Sequence, residues 1–202
     1  MKVILISNPT ATAEESTLIN NLFNEGLAFF HLRKPNASEH EIGALLQQID
    51  EQFYPKIALH QHHQLVSRFN VKRLHYTEHQ RKQATIAQLK DQKEKGFILS
   101  TSIHQLESLN QITEFDYSFY GPVFNSISKK DYQSVVPLDF KVEKHINTPA
   151  IIALGGINDK NIHQIKTMNF DGFALLGFIW EQPKNAIANF KIIQQTLKET
   201  YD

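Results

Sequence analysis

The sequence predicts a single-domain TIM (β/α)8 barrel over residues 1–202, with parallel strands and short loops. Eight short apolar segments alternate with segments of helical periodicity, and strands that are apolar on both faces are typical of parallel sheets covered by helices. A length of 202 residues lies at the lower limit for this barrel. The rival is an open sheet of five or six strands. No GxGxxG motif follows the first strand, which disfavours the dinucleotide-binding version of that sheet.

The predicted strands are short runs of apolar and aromatic residues that end at polar residues or glycine. They are Val3–Ile6, Ala28–Leu32, Ile57–Leu59, Arg73–Tyr76, Phe97–Ser100, Tyr117–Tyr120, Ala150–Ala153 and Gly172–Leu176. In such a barrel the C-terminal ends of the strands form the active-site face, so the residues that follow each strand are the candidate site residues.

The predicted helices show apolar residues at helical spacing between these strands. They are Glu14–Asn24, Ser38–Phe53, His62–Phe69, Ala84–Gln92, His104–Gln111, Asp159–Met168 and Asn185–Glu199. Ser38 with Glu41 three residues later is a capping-box pattern, which marks a helix start. The segment Leu138–His145 is expected to be a short or irregular crossover.

The composition excludes several classes of function. Lys plus Arg and Asp plus Glu both number 21, so the chain has no basic footprint for nucleic acid or an anionic membrane. Cysteine is absent, which excludes disulfides and cysteine-based metal or redox chemistry. Met1-Lys2 leads into an apolar strand without a signal-peptide pattern, and no stretch reaches membrane-spanning length. We therefore expect a cytoplasmic protein that binds neither nucleic acid nor membrane.

A polar loop follows the sixth strand after Gly121-Pro122. It carries Ser126, Ser128 and Lys129, which combine hydroxyl hydrogen-bond donors with compact positive charge. Such groups at the end of a buried strand suit a phosphate ester or a pyrophosphate, so we expect these three residues to contact the anion of a substrate.

Glycines follow the seventh and eighth strands. Gly155-Gly156 breaks an apolar strand, and Leu176-Gly177 forms the turn after the last one. Glycine lets backbone N–H groups approach an anion that a side chain would obstruct. The sequence therefore predicts a phosphate held by the N–H groups of Gly155, Gly156 and the Leu176-Gly177 turn.

The chain resembles the thiamine phosphate synthase/TenI family of TIM barrels in the order of six motifs, HLRK, LHYTEHQ, STSIHQLES, DYSFYGPVFNSISKKD, AIIALGGIN and DGFALLGFIW. GPVFNSISKKD is the most specific of them. The resemblance implies one of two activities. A synthase joins a pyrimidine pyrophosphate to a thiazole phosphate with help from Mg²⁺, whereas TenI-type relatives are thiazole tautomerases or have no assigned activity.

The second strand is followed by a departure from the synthase pattern. The family has Arg-x-Lys here. Arg33 is kept, but Lys34 comes one residue early and Pro35 stands in the place of the lysine. Two roles for Arg33 remain open. It contacts the anion of a substrate, or it forms a buried ion pair with Glu78.

The magnesium aspartates of the synthase are also replaced. His60-Gln61 stands where the resemblance implies Asn-Asp after the third strand, and Gln80 stands at the second aspartate, with Glu78 nearby. Mg²⁺ prefers carboxylate oxygen and water. We therefore expect no metal ligands and no tightly bound cofactor, with Mg²⁺ required only if synthase chemistry is retained.

Two residues near the fifth strand are candidates for the reaction itself. His104 matches a family histidine that resembles the proton-transfer residue of the tautomerase, and imidazole titrates near neutral pH. Its structural alternative is a histidine that caps or packs in the first turn of a helix. Ser102, at the end of the same strand, is expected to contact the substrate.

Five histidines cluster at neighbouring strand ends. These are His60, His62 and His63 after the third strand, with His31 and His75 on adjacent strands. The HQHH spacing matches no standard ligand motif, and no aspartate accompanies it. We expect a solvated or hydrogen-bonded set rather than a metal site.

The missing aspartates favour a TenI-type thiazole tautomerase. The alternative is a thiamine phosphate synthase, and a second alternative is a non-catalytic protein that binds thiazole phosphate or thiamine phosphate. The expected ligand is a phosphorylated thiazole, joined by a pyrimidine pyrophosphate if the chain is a synthase. Homo-oligomer formation is left open.

Overall fold

The chain forms a closed barrel of eight parallel strands in sequence order, in which the first strand also pairs with the last. The structure is a computed structural model that describes residues 1–125, 136–137, 139–146 and 148–201. The strands are β1 (Lys2–Ile6), β2 (Phe29–Leu32), β3 (Ile57–Leu59), β4 (Arg73–Tyr76), β5 (Ile98–Ile103), β6 (Tyr117–Tyr120), β7 (Ala150–Leu154) and β8 (Gly172–Leu175). The predicted TIM barrel is confirmed.

The helices pack around the barrel. In the described residues the α-helices are α1 (Glu15–Asn24), α2 (Glu39–Gln47), α3 (Glu78–Gln83), α4 (Ile86–Glu94), α5 (His163–Thr167), α6 (Gly177–Trp180) and α7 (Ala186–Tyr201). Shorter 3₁₀ segments occupy Glu51–Lys56, His63–Ser67, Leu106–Gln111 and Pro183–Asn185. Over the part of the chain that the structure describes, no helix combines the length and apolar character needed to cross a membrane.

The barrel interior is apolar on one side and polar on the other. Every second side chain of a strand points inward. The apolar side comes from β1, β6, β7 and β8 and contains Ile4, Ile6, Tyr117, Phe119, Ile152 and Ala174. The polar side comes from β2, β4, β5 and the residue that follows β3, and its fully buried members are His31, His60, His75 and Ser100. Buried polar groups need partners, so this side must satisfy its own hydrogen bonds.

The helix predicted over Ser38–Phe53 ends earlier, at Gln47. Its predicted start is confirmed, because Ser38 Oγ accepts from Glu41 N–H while Glu41 accepts from Ser38 N–H. After the helix, the Asn20 side chain of α1 donates to Gln48 O and accepts from Asp50 N–H, at 3.2 and 3.0 Å. These bonds turn the chain away from the helix axis into a 3₁₀ segment.

The fifth strand is longer than predicted and its helix is missing. β5 continues to Ile103, and a 3₁₀ segment that begins at Leu106 replaces the helix predicted over His104–Gln111. The three extra residues of β5 pair with Ser118, Phe119 and Tyr120 of β6, which keeps them extended. His104 therefore lies in the turn after the strand rather than in a helix.

Other helices also differ from prediction. The helix predicted over His62–Phe69 is the 3₁₀ segment His63–Ser67. α3 was not predicted, although Thr77 and Gln80 form a capping box that marks its start. The helix predicted over Asp159–Met168 shortens to His163–Thr167, because Asn158 N–H donates to Asn161 Oδ1 at 2.9 Å and opens a local turn.

Gly121 is held in a close backbone approach between β6 and β7. A Cβ atom at this position would lie 1.9 Å from the carbonyl oxygen of Leu154. That carbonyl also accepts from Val123 N–H at 2.9 Å, so it cannot move without loss of a bond that joins the two strand ends.

We expect Gly121→Ala to lower the free energy of unfolding by about 3 kcal/mol or more. Urea denaturation measures this. Gly43→Ala is the matched control, because Gly43 lies in α2 and its added methyl group meets nothing closer than 3.8 Å. The control should be stabilised by about 0.5–1 kcal/mol. Equal stability of Gly121→Ala and the unmodified protein would contradict the close approach.

Candidate active site

A cavity of about 250 Å³ opens at the C-terminal ends of the strands. Its lining comes from β1 to β7 and the turns after them. The residues are Ile6, Arg33, His60, His75, Thr77, Glu78, Ser102, Ile103, His104, Phe119, Gly121, Pro122, Leu154 and Gly155. The cavity brings together four of the predicted site residues, namely Arg33, Ser102, His104 and Gly155.

His104 lies at the rim of this cavity with one ring nitrogen fixed. Its Nδ1 lies 3.0 Å from the carbonyl oxygen of Gly121. A carbonyl only accepts, so in neutral His104 the proton is on Nδ1 and the lone pair is on Nε2. The side chain is exposed, so Nε2 is available to take a proton from a ligand.

Arg33 lines the cavity, and its guanidinium has no ion-pair partner among the described residues. Its backbone N–H donates to Ser7 Oγ at 2.9 Å, and the Ser7 hydroxyl lies 2.9 Å from the Arg33 carbonyl oxygen, which fixes the end of β2 against β1. Among the described residues the Arg33 guanidinium forms no ion pair, and Glu78 pairs with Lys82 at 2.7 Å instead. The predicted alternative of a buried Arg33–Glu78 pair is therefore wrong for the described structure.

Ser102 connects the cavity to the buried histidines. His75 lies between two serine hydroxyls of β5, with Nδ1 3.0 Å from Ser100 Oγ and Nε2 3.1 Å from Ser102 Oγ. Ser102 is half-buried and lines the cavity, so the residue that bonds to His75 also lies at the cavity surface.

His31, His60 and His75 form a buried group in the polar side of the barrel, which we call the histidine triad. His31 Nδ1 lies 2.9 Å from His60 Nε2, and His31 Nε2 lies 2.7 Å from Tyr117 Oη. The rings of His60 and His75 stack with their centroids 3.9 Å apart. One ligand nitrogen from each ring lies within 4.8 Å of the others.

Burial keeps the triad neutral. Desolvation is the main cause that lowers the pKa of His31 and the pKa of His60 well below their usual range, and it lowers the pKa of His75 to about 3. Nearby positive charge lowers each pKa further. It comes from a neighbouring histidine and from an arginine, which is Arg73 in the case of His31 and Arg33 in the cases of His60 and His75.

The other two histidines of the HQHH run lie outside the triad. His62 Nε2 lies 2.8 Å from the carbonyl oxygen of Ala37. His63 Nε2 is close to two carbonyl oxygens, those of Leu59 and His75. The set is hydrogen-bonded, as predicted, but its central three members are buried rather than solvated.

The predicted phosphate loops are only partly described. Gly155 and Gly156 adopt positive φ angles of 102° and 66°, and Gly156 packs against the carbonyl oxygens of Phe124 and Asn125. No backbone carbonyl of the described residues accepts from Gly155, Gly156 or Gly177 N–H. Leu176 and Gly177 begin α6 and do not line the cavity. Ser126, Ser128 and Lys129 lie outside the described residues.

Comparison with known families decides the assignment. The sequence model of the family described as thiamine monophosphate synthase, TMP-TENI, matches residues 3–179, a range that includes every residue lining the cavity. The chain belongs to the TMP-TENI family.

Individual relatives from this family match shorter stretches. A thiamine-phosphate synthase from Clostridium tetani is 38% identical over 65 residues, 32% of this chain and 31% of the relative. One from Methanocella arvoryzae is 33% identical over 92 residues, 44% of this chain and 43% of the relative. These matches thus span between 31% and 43% of the relatives' lengths.

Solved structures agree on the fold. The thiamine phosphate pyrophosphorylase from Bacteroides thetaiotaomicron covers 100% of both chains at 24% identity, with a TM-score of 0.74. The enzyme from Pyrococcus furiosus covers 100% of this chain and 97% of its own at 16% identity, with a TM-score of 0.73.

Lys34 does not stand in for the lysine of the TMP-TENI pattern. Its ammonium lies 2.5 Å from Glu15 Oε1 and donates to the carbonyl oxygen of Thr10 at 2.7 Å. Lys34 and Glu15 are both buried, away from the cavity lining. The shift of the lysine by one residue has therefore turned it into a structural ion pair.

The described cavity does not fit the Mg²⁺ that synthase chemistry implies. Gln80 caps α3 through Thr77, and the Gln61 side chain donates to the carbonyl oxygen of Lys34. Glu78 is the sole carboxylate among the described lining residues, and Lys82 already neutralises it. Mg²⁺ is usually held by one or two protein carboxylates together with waters and substrate phosphates, and the described lining residues supply no unpaired carboxylate.

The neutral triad predicts loss of stability in acid. The pKa of His75 is about 3 in the folded protein against its ordinary 6.5, so the unfolded chain binds more protons between these values. The contribution of neutral His75 to the free energy of unfolding is therefore fully present above pH 6.5. It is lost progressively as the pH drops from there towards 3. At about pH 5 the loss from His75 alone is about 2 kcal/mol.

Urea unfolding with a chelator present, at about pH 7.5 and about pH 5, measures this loss. A midpoint that stays the same at both values would mean that the buried imidazoles titrate normally, and would contradict the prediction.

Proposed function

We propose that this chain is a thiamine phosphate synthase that joins hydroxymethylpyrimidine pyrophosphate to thiazole phosphate. The observation that carries the proposal is the family match over residues 3–179, because it covers the entire described cavity. The relatives named above carry the name thiamine-phosphate synthase, which favours this activity over the tautomerase that the missing aspartates indicate. In the reaction, the bond from the pyrimidine methylene carbon to the pyrophosphate oxygen breaks. A new bond forms from that carbon to the thiazole nitrogen.

The cavity offers positive groups for the two anionic substrates. The Arg33 guanidinium is unpaired among the described residues and can bind a pyrophosphate oxygen through charge-assisted hydrogen bonds. Gly155 also lines the cavity, and no described carbonyl accepts from its backbone N–H. These groups would hold a phosphate and stabilise the charge that develops on the leaving pyrophosphate.

A specific observation also favours a second function, thiazole tautomerisation. The fixed proton on His104 Nδ1 leaves Nε2 as a base at the cavity rim, and a tautomerase needs such a base and no metal. The scarcity of carboxylates in the described lining points the same way.

The experiment is a product assay with purified protein. The chain is incubated with both phosphorylated substrates, with and without Mg²⁺, and thiamine phosphate is quantified by mass spectrometry. A parallel reaction contains only the phosphorylated thiazole, whose tautomers are separated by chromatography. Formation of thiamine phosphate at an enzymatic rate supports the proposal. Tautomer conversion alone would replace it with the second function, and no conversion in either reaction would indicate a binding protein.

A further inference from the structure

We propose that the histidine triad binds one divalent first-row transition metal ion, of the Zn²⁺ class, with an open coordination position that faces the cavity. The inference is independent of the reaction proposed above. His31, His60 and His75 lie on adjacent strand ends, and a ligand nitrogen from each lies within 4.8 Å of the other two. Nitrogen donors of this kind suit zinc and its neighbours and do not suit Mg²⁺.

The spacing of the nitrogens is close to that of a metal centre. Two imidazole nitrogens bound to one tetrahedral zinc ion at about 2.0–2.1 Å lie about 3.3 Å apart. His31 Nδ1 and His60 Nε2 are 2.9 Å apart, so they need to separate by only a few tenths of an ångström. The rings of His60 and His75 are inclined by 24°, so one ring must turn about its Cβ–Cγ bond for both lone pairs to meet at the ion.

Two of the three histidines, His31 and His75, already have oxygen partners of the kind that metal-binding histidines use. A ligating histidine normally donates its second N–H to an oxygen, which fixes the ring and its tautomer. Tyr117 Oη lies 2.7 Å from His31 Nε2, on the side of the ring away from His60. Whichever nitrogen of His75 turns to the ion, the other is held by Ser100 or Ser102.

The chemistry of the site also indicates its fourth ligand. No carboxylate of the described residues hydrogen-bonds to the triad, so the protein leaves the charge of the ion uncompensated. His60 and His75 line the cavity, whereas His31 lies beneath them. An anionic oxygen ligand that enters the cavity, such as hydroxide or a phosphate oxygen, would complete the coordination.

The test uses Co²⁺ and Zn²⁺ alone. Protein stripped with a chelator is titrated with Co²⁺, and the visible absorption of tetrahedral Co²⁺ is recorded. Calorimetry with Zn²⁺ gives stoichiometry and affinity. We expect one equivalent of each ion with a micromolar or tighter dissociation constant, and no heat of binding with Mg²⁺. X-ray absorption of the Zn²⁺-loaded protein should show three imidazole ligands, a measurement that needs no variant.

Variants locate the ion. His60→Gln and His75→Gln should each weaken Zn²⁺ affinity by at least about a hundredfold. His62→Gln is the matched control, because His62 belongs to the same HQHH run but bonds to Ala37 O, and its affinity should not change. Absence of the Co²⁺ band together with absence of stoichiometric heat would overturn the proposal. So would Zn²⁺ bound through fewer than three imidazoles, or an equal loss of affinity in His62→Gln.

Discussion

Lys34→Met is expected to lower the free energy of unfolding by about 3–5 kcal/mol. The substitution keeps the length of the side chain but removes the ammonium that lies 2.5 Å from Glu15. The Glu15 carboxylate would then remain buried without its partner, and an unpaired buried charge is strongly destabilising. Urea or thermal denaturation measures the change.

Two controls separate this ion pair from ordinary surface charge. Lys82→Met removes the exposed partner of Glu78, and such pairs contribute about 0–1 kcal/mol. The double variant Lys34→Met with Glu15→Met removes both charges and should recover most of the lost stability. A single Lys34→Met variant as stable as the unmodified protein would show that Glu15 has another partner or reaches water.

Arg33→Ala is expected to lower kcat/KM for the coupling reaction by about 10- to 150-fold. The estimate follows from the 1.5–3 kcal/mol or so that a hydrogen bond to a charged group contributes. Steady-state kinetics with each substrate varied in turn measures the loss. Arg33→Lys should recover part of the activity, because lysine keeps the charge but loses the bidentate geometry.

His104→Gln distinguishes the two candidate reactions. In a synthase the change should reduce coupling by less than Arg33→Ala does. In a tautomerase it should lower the rate by a factor of about 10²–10⁴, because His104 Nε2 would be the base that transfers the proton in that reaction. Arg68→Ala serves as the inert control, because its guanidinium lies over the ring of Phe69 and outside the cavity lining. A larger effect of His104→Gln than of Arg33→Ala on coupling would contradict the proposed anion role of Arg33.

The barrel could be predicted from sequence because each strand is a short apolar run with a clear end. The bounds of β3, β4 and β6 agree with the prediction residue for residue. The helices were less predictable where side chains compete with the helix for backbone groups. Asn20 bonds to the chain after α2 from another helix, so no local pattern in that segment reveals where it ends.

The site was predictable only at the level of strand ends. Arg33 and His104 were placed at the cavity because residues that follow barrel strands meet there. The sequence predicted that the histidines form a solvated or hydrogen-bonded set, but not that His31 Nδ1 bonds to His60 Nε2 inside the barrel. A pattern in one strand does not report which nitrogens meet across the barrel. The ion pair of Lys34 was likewise not predictable. Its partner Glu15 lies on α1, so no pattern near Lys34 reveals the contact.

The pairing of β1 with β8 has a consequence for synthesis of the protein. Lys2 is the register partner of Gly172, and Leu5 is the partner of Leu175. While the ribosome makes the chain, one edge of β1 therefore has no native neighbour until β8 has been translated. An exposed strand edge can pair with other chains. We therefore expect the nascent polypeptide to be prone to aggregation, and to need protection by chaperones, until the eighth strand emerges.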